Sequence, residues 1–210
     1  MKRLWTLAAA AAVVFALTAP SAHAFTIKVA SAAPESSPWG KALNRIAADW
    51  REISGGQVTM QIFHNGIAGE QNDVLRKMRI GQVQGALFTS DALAQLSEEI
   101  FALSAPVLIR SDAELDYVFE KLRPQIEESI EGNTFEVLGW SKAGWVNFFA
   151  NEEVRSPADL KDLAMAVAND QPQTARAFRR MGYEVVPVRQ NALLTSLNSG
   201  MVDAFYSSPI

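Results

Sequence analysis

The chain contains no cysteine. That one absence excludes disulfide staples, thiol nucleophiles and thiolate metal sites. Histidine is nearly absent too, with only His23 and His64, and neither has a second imidazole at ligand spacing. No metal site is therefore expected, and His64 reads as a turn histidine bonded to nearby backbone. There is no G-x-G-x-x-G, no P-loop and no G-x-S-x-G elbow, so the common phosphate cradles and the serine-hydrolase turn are excluded. A serine–histidine relay would rest on His64 alone. The carboxylate pairs in "SEEI", "EESIE" and "NEEV" read as solvated helix or turn faces rather than acid–base machinery. Runs of like charge are missing, and 19 basic against 23 acidic residues give a net charge of −4. That balance offers nucleic acid no basic footprint. Neither an enzyme nor a cofactor is expected.

Only one long apolar run exists, Leu4 to Leu17, behind the basic start "MKR" and ahead of "PSAHA". This pattern predicts a secretory signal peptide over 1–24, cut after Ala24. It is too short and wrongly flanked for a stable anchor. An exported domain without cysteine must be held by its own core, which fits a soluble periplasmic protein of a bacterium.

The remaining sequence alternates strand-like and helix-like runs. "TIKVAS" and "VTMQIF" read as strands on either side of a helix over Trp39 to Ile53 that stops at "SGG". The loop "HNGIAGE" leads to a helix over Asp73 to Ile80, ended by Gly81, and then to the strand "VQGALFTS". "SDAE" caps a helix from Asp112 with Leu115, Val118, Phe119 and Leu122 on one face. "FEVLGWSK" and "WVNFFAN" read as consecutive strands broken at Gly144. "SPADLKDL", "AMAVA", a helix over Thr174 to Met181, "YEVVPV", a helix over Ala192 to Asn198 and "VDAFYS" follow. Strands separated by helices imply parallel pairing, hence an α/β fold with ligands beyond the carboxyl ends of the strands. The strand-like stretch from Trp140 to Asn151 divides the mature chain into an N-terminal lobe, 25–143, and a second lobe, 144–210. Trp39, Trp140, Trp145, Phe148, Phe149, Phe205 and Tyr206 gather at strand ends and at this crossing, where they serve either a core or an apolar cleft.

Three motifs in series carry a resemblance: "FHNGIAGE", "SPADLKDL" and "SGMVDA". With the runs around them, the mature chain resembles the solute-binding proteins of tripartite ATP-independent periplasmic (TRAP) transporters. The resemblance implies two α/β lobes joined by crossing strands, a cleft that closes over a solute, and delivery to the membrane subunits of a TRAP permease. It also implies a longer chain, so this sequence is expected to be a fragment or a truncated reading frame lacking the C-terminal part of the second lobe. Members usually place arginines in the strand after the "DLKGL" motif and after the glycine-aromatic pair at the crossing, and an asparagine near the end of the last strand. Here the matching positions are Ala166, Val146 and Ser207. A buried carboxylate without a cationic partner loses several kcal/mol of compensation. The expectation is therefore an apolar or amphiphilic solute, lined by Trp39, Trp145, Phe148, Phe205 and Tyr206. Orienting hydrogen bonds would come from Thr89, Ser90, Asn147, Asn169 and Gln190. Such a cleft is compatible with the branch of the family that works with a tetratricopeptide-repeat partner. The alternative is a sensory or protein-interaction module that kept the lobes and lost transport.

Overall fold

Alternating apolar and amphipathic runs build two separate open sheets in this computed structural model, which describes residues 24–104 and 108–208. The signal-peptide reading falls, apart from Ala24, on residues 1–23, outside the described residues. The first sheet holds β1 (Phe25–Ser31), β2 (Val58–Phe63) and β3 (Gly85–Leu87) in the order β2-β1-β3. All its pairings are parallel, with Phe25 opposite Val58 and Val29 opposite Gly85. Parallel neighbours need crossovers, supplied by α1 (Pro38–Ile53) and α2 (Gln71–Arg79).

The start of α1 is set locally. Ser37 Oγ accepts from the Gly40 N–H at 3.1 Å and donates to the Pro34 carbonyl at 2.6 Å, with Pro38 in the first turn. A Cβ on Gly40 would lie 2.4 Å from the Pro34 and Glu35 carbonyl oxygens, so only glycine lets this turn fold against the helix. After β3 come two short helices, α3 (Ser90–Leu93) and α4 (Ile100–Ser104), and then the long α5 (Asp112–Glu131). Ser111 caps α5 by accepting from the Glu114 N–H at 3.2 Å. Its apolar face runs on past Leu122 to Ile126 and Ile130, which are buried with Leu75, Leu96 and Ile100. Full burial of such side chains contributes about 1.5–3 kcal/mol each.

Here the structure departs from the sequence reading. Only the second of the two expected crossing strands forms, as β4 (Asn147–Ala150). Residues 135–146 run without sheet pairing. Phe135, Val137 and Trp140 lie on the first core, and the Trp140 Nε1–H donates to Glu127 at 2.7 Å. Lys142 pairs with Asp116 at 2.6 Å. This segment is thus fastened by its side chains to α5, not by a ladder.

The second sheet has the order β4-β7-β5-β6, with β5 (Met165–Ala168), β6 (Val185–Val188) and β7 (Ala204–Ser207) parallel and β4 antiparallel to β7. The turn before β5 is held by Asp159, whose carboxylate accepts from the Arg155 and Ser156 N–H groups at 2.8 Å each. β5 is buried on both faces, which explains its unbroken apolar run. Met165 and Val167 pack on Ala175 and Phe178 of α6 (Pro172–Arg180). Ala166 packs with Val188, Val202 and the residues of α7 (Leu193–Asn198) on the other side. Among the described residues no helix is long and apolar enough to cross a membrane.

Candidate functional site

In a parallel sheet every strand delivers the chain to the same edge, and the helix that follows begins there. In the first sheet that edge carries Glu70 and Gln71 at the start of α2, and Thr89 and Asp91 after β3. In the second it carries Asn169, Asp170 and Gln171 after β5, Arg189 and Gln190 after β6, and Tyr206 in β7. Hydrogen bonds join the two edges. Gln71 Nε2 donates to Asp170 Oδ2 at 3.3 Å, and Gln171 Nε2 donates to Asp91 Oδ2 at 2.6 Å. Gln71 is buried, and its Oε1 accepts the Thr89 N–H at 2.8 Å. The Tyr206 hydroxyl donates to Gln171 Oε1.

The electrostatics of this junction are acidic. Burial raises the Asp91 carboxyl above its ordinary value, and nearby Asp170 raises it further, against the lowering effect of the Gln171 bond. Glu70 is also raised by desolvation and then by Asp170, while Arg189 pulls it back. Tyr206 is raised by desolvation, with Asp91 and Asp170 adding to it, so its hydroxyl stays a donor. Among the described residues no group of three or more His, Cys, Asp or Glu is placed to hold a metal.

The residues singled out from sequence divide into three groups. Thr89, Ser90, Asn169, Gln190 and Ser207 stand at or beside this junction, at the carboxyl ends of their strands. Trp145, Val146, Asn147 and Phe148 lie exposed along the approach to β4 and on it. Phe148 contacts Phe178 and Tyr206 at centroid distances of 6.1 Å each, while Phe205 stacks on Phe149 at 5.0 Å. The third group is Ala166 and Trp39. Ala166 is 5% exposed inside the second core, and Trp39, in the first turn of α1 at the carboxyl edge of the first sheet, donates through Nε1 to Ser141 Oγ at 2.7 Å. Sequence reasoning missed Glu70, Gln71, Asp91, Asp170, Gln171 and Arg189. The signal was positional, since each directly follows a strand or opens a helix at the carboxyl edge. Arg189, just past β6, stands near enough to Glu70 for its charge to lower that carboxyl. His64 does not bond backbone as expected; its Nε2 pairs with Asn44 Oδ1 at 3.1 Å, and its Nδ1 is buried without a partner.

Residues 29–209 match the model of the bacterial extracellular solute-binding protein family 7, DctP. The chain belongs to this family. Among curated relatives, a solute-binding protein of Chromohalobacter salexigens is 24% identical over 172 residues, covering 81% of this chain and 51% of that protein. The 2,3-diketo-L-gulonate-binding periplasmic protein of Escherichia coli is 26% identical over 156 residues, covering 73% and 47%. Solved structures agree on the fold. A TRAP periplasmic solute-binding protein from Roseobacter denitrificans, with bound L-galactonate, superposes with a TM-score of 0.78 at 21% identity, covering 89% of this chain and 62% of that one. One from Chromohalobacter salexigens with bound D-glucuronate gives 0.76 at 22% identity, covering 86% and 60%. The chain thus spans about half the length of these curated relatives and about three-fifths of these solved chains. The two-lobed α/β architecture expected from sequence agrees with the fold of these solved structures, and the family is one of extracellular solute-binding proteins rather than enzymes.

Proposed function

We propose that this chain is the solute-binding receptor of a TRAP-type secondary transporter, acting in the periplasm and handing its solute to the membrane subunits of a permease. Its lobes are 25–143 and 144–210, and its cleft is the junction between their carboxyl edges. The observation that carries this reading is the convergence of Gln71, Asp91, Asp170, Gln171 and Tyr206 from two sheets onto one place. A binding site needs a few polar groups fixed in position beside apolar walls. The junction offers amides, carboxylates and hydroxyls, with the rings of Phe148, Phe178 and Tyr206 alongside.

The solute we infer is small and rich in hydroxyl groups, with Thr89, Ser90, Asn169, Gln190 and Ser207 as further candidates to bond it. Carboxylates such as Asp91 and Asp170 accept from sugar hydroxyls, and Arg189 could pair with one acid group of such a molecule. Among relatives whose names or structures state a ligand, several name diketogulonate, galactonate or glucuronate, one a C4-dicarboxylate and one sn-glycerol-3-phosphate. An apolar solute conflicts with both the polar junction and those relatives, because burying these groups against hydrocarbon would leave them without partners.

A thermal-shift panel tests the reading. Hexuronates, aldonates and polyols should include at least one compound that raises the Tm with mass-action dependence, equivalent to about 2.7 kcal/mol at a hundredfold excess over Kd. Stabilisation by fatty acids or aromatic hydrocarbons alone would refute it.

A further inference from the structure

Among the described residues the sheet edges are β2, β3, β4 and β6. β3 is only three residues long, β6 carries Pro187, and β2 interleaves Thr59 and Gln61 with its apolar residues. Short length and proline are ordinary protections of an open edge. β4 has none of these. With its approach it reads Trp145-Val146-Asn147-Phe148-Phe149, every residue exposed and none charged. We propose that this edge pairs antiparallel with the same edge of a second copy of the chain, joining two second-lobe sheets across a two-fold axis at Asn147. The inference goes beyond the solute reading and does not depend on it.

Backbone direction fixes which residues face outward. The Asn151 N–H donates to the Asp203 carbonyl at 2.9 Å, so the odd-numbered residues of β4 turn their backbone groups toward β7. Val146 and Phe148 turn theirs to the open side. Self-pairing therefore sets Val146 opposite Phe148 of the second copy, with reciprocal N–H···O bonds. Asn147 then meets its own copy on the axis, and Trp145 falls opposite Phe149 of the second copy. This register extends two rows already present. Phe149 stacks on Phe205 at 5.0 Å, and Trp145 of the second copy continues that row. Phe148 meets Tyr206 at 6.1 Å, and Val146 of the second copy continues that one. Charge agrees with the same register. Lys142 and Glu152 are exposed and lie equally far along the chain on either side of Asn147. Each copy's lysine thus comes to the end of the ladder where the other's glutamate lies. Moving the axis to Phe148 sets Trp145 against Asn151 and Lys142 against Val154; moving it to Val146 sets Phe149 against Ala143 and Lys142 against Ala150. Both matches are lost either way. An interface of this kind is self-complementary and closes as a dimer.

Sedimentation velocity on the whole chain purified from the periplasm tests this. A dimer population should grow with concentration by mass action. Val146→Pro removes an outward N–H from a residue outside the β4–β7 ladder, and should leave a monomer whose circular dichroism melt matches the parent's. Disulfide trapping reads the register, and a chain without cysteine gives it a clean background. Asn147→Cys, on the axis, should cross-link to its own copy on mild oxidation, while Glu152→Cys should not. A parent that stays monomeric at its highest soluble concentration overturns the proposal, as it would if another strand or a partner's peptide held this edge. A Val146→Pro protein that still dimerises, or equal cross-linking at both cysteines, overturns it too. If Val146→Pro melts early, the two cysteine variants alone decide.

Discussion

Asp91 shows how far one residue can report on the whole junction. Its carboxyl is half-buried, faces Asp170 across the gap and has a single side-chain donor, Gln171. Its pKa is accordingly higher in the folded protein than in the unfolded chain, because desolvation and the like charge favour the protonated form. The folded state then binds more protons than the unfolded one between those two values, so stability falls as pH rises through that window. Asp91→Asn keeps an acceptor for Gln171 and removes the titration. The Tm difference between this variant and the parent should be smallest well below the ordinary aspartate range and should grow in the variant's favour toward neutrality. A difference that does not change with pH would contradict the assigned cause. None of this was legible in the sequence, because Asp91 and Gln171 are 80 residues apart and nothing local marks them as partners. The Ser37 and Ser111 caps were within reach, since a cap involves only the next three or four residues.

Elements were legible where their pattern is self-sufficient. The 3-to-4 spacing of Leu115, Val118, Phe119 and Leu122 found α5, and the two-sided apolar run of β5 found a buried strand. "FEVLGWSK" misled because alternation indicates which faces a strand would present, not whether a neighbour exists to bond it. In the structure Phe135 and Val137 lie on the core, while Leu138 between the paired-looking residues is 85% exposed. That contrast predicts two very different alanine substitutions. Ile126→Ala, at a position with 0% exposure, should lower stability by about 2–5 kcal/mol in urea unfolding, through lost burial and a residual cavity. Leu138→Ala should stay within about 0.5 kcal/mol of the parent. Equal losses at both sites would mean that residues 135–146 are packed as a true strand.

At the scale of the molecule, the crossover rule points to the carboxyl ends of the strands as the place for ligands, and the polar junction stands at those ends. Two of the positions matched to the family pattern, Ala166 and Val146, are apolar. Ala166 lies in the second core, and Val146 is 60% exposed on the approach to β4. The polar groups come instead from the residues just past each strand. The account depends on that polar junction selecting a hydroxyl-rich solute. The most direct measurement is mass spectrometry of the small molecules released when protein purified from the periplasm is denatured. The account predicts a hydroxylated compound, such as a sugar acid or polyol, at near-stoichiometric amount. Recovery of a lipid or an aromatic hydrocarbon in its place would contradict it.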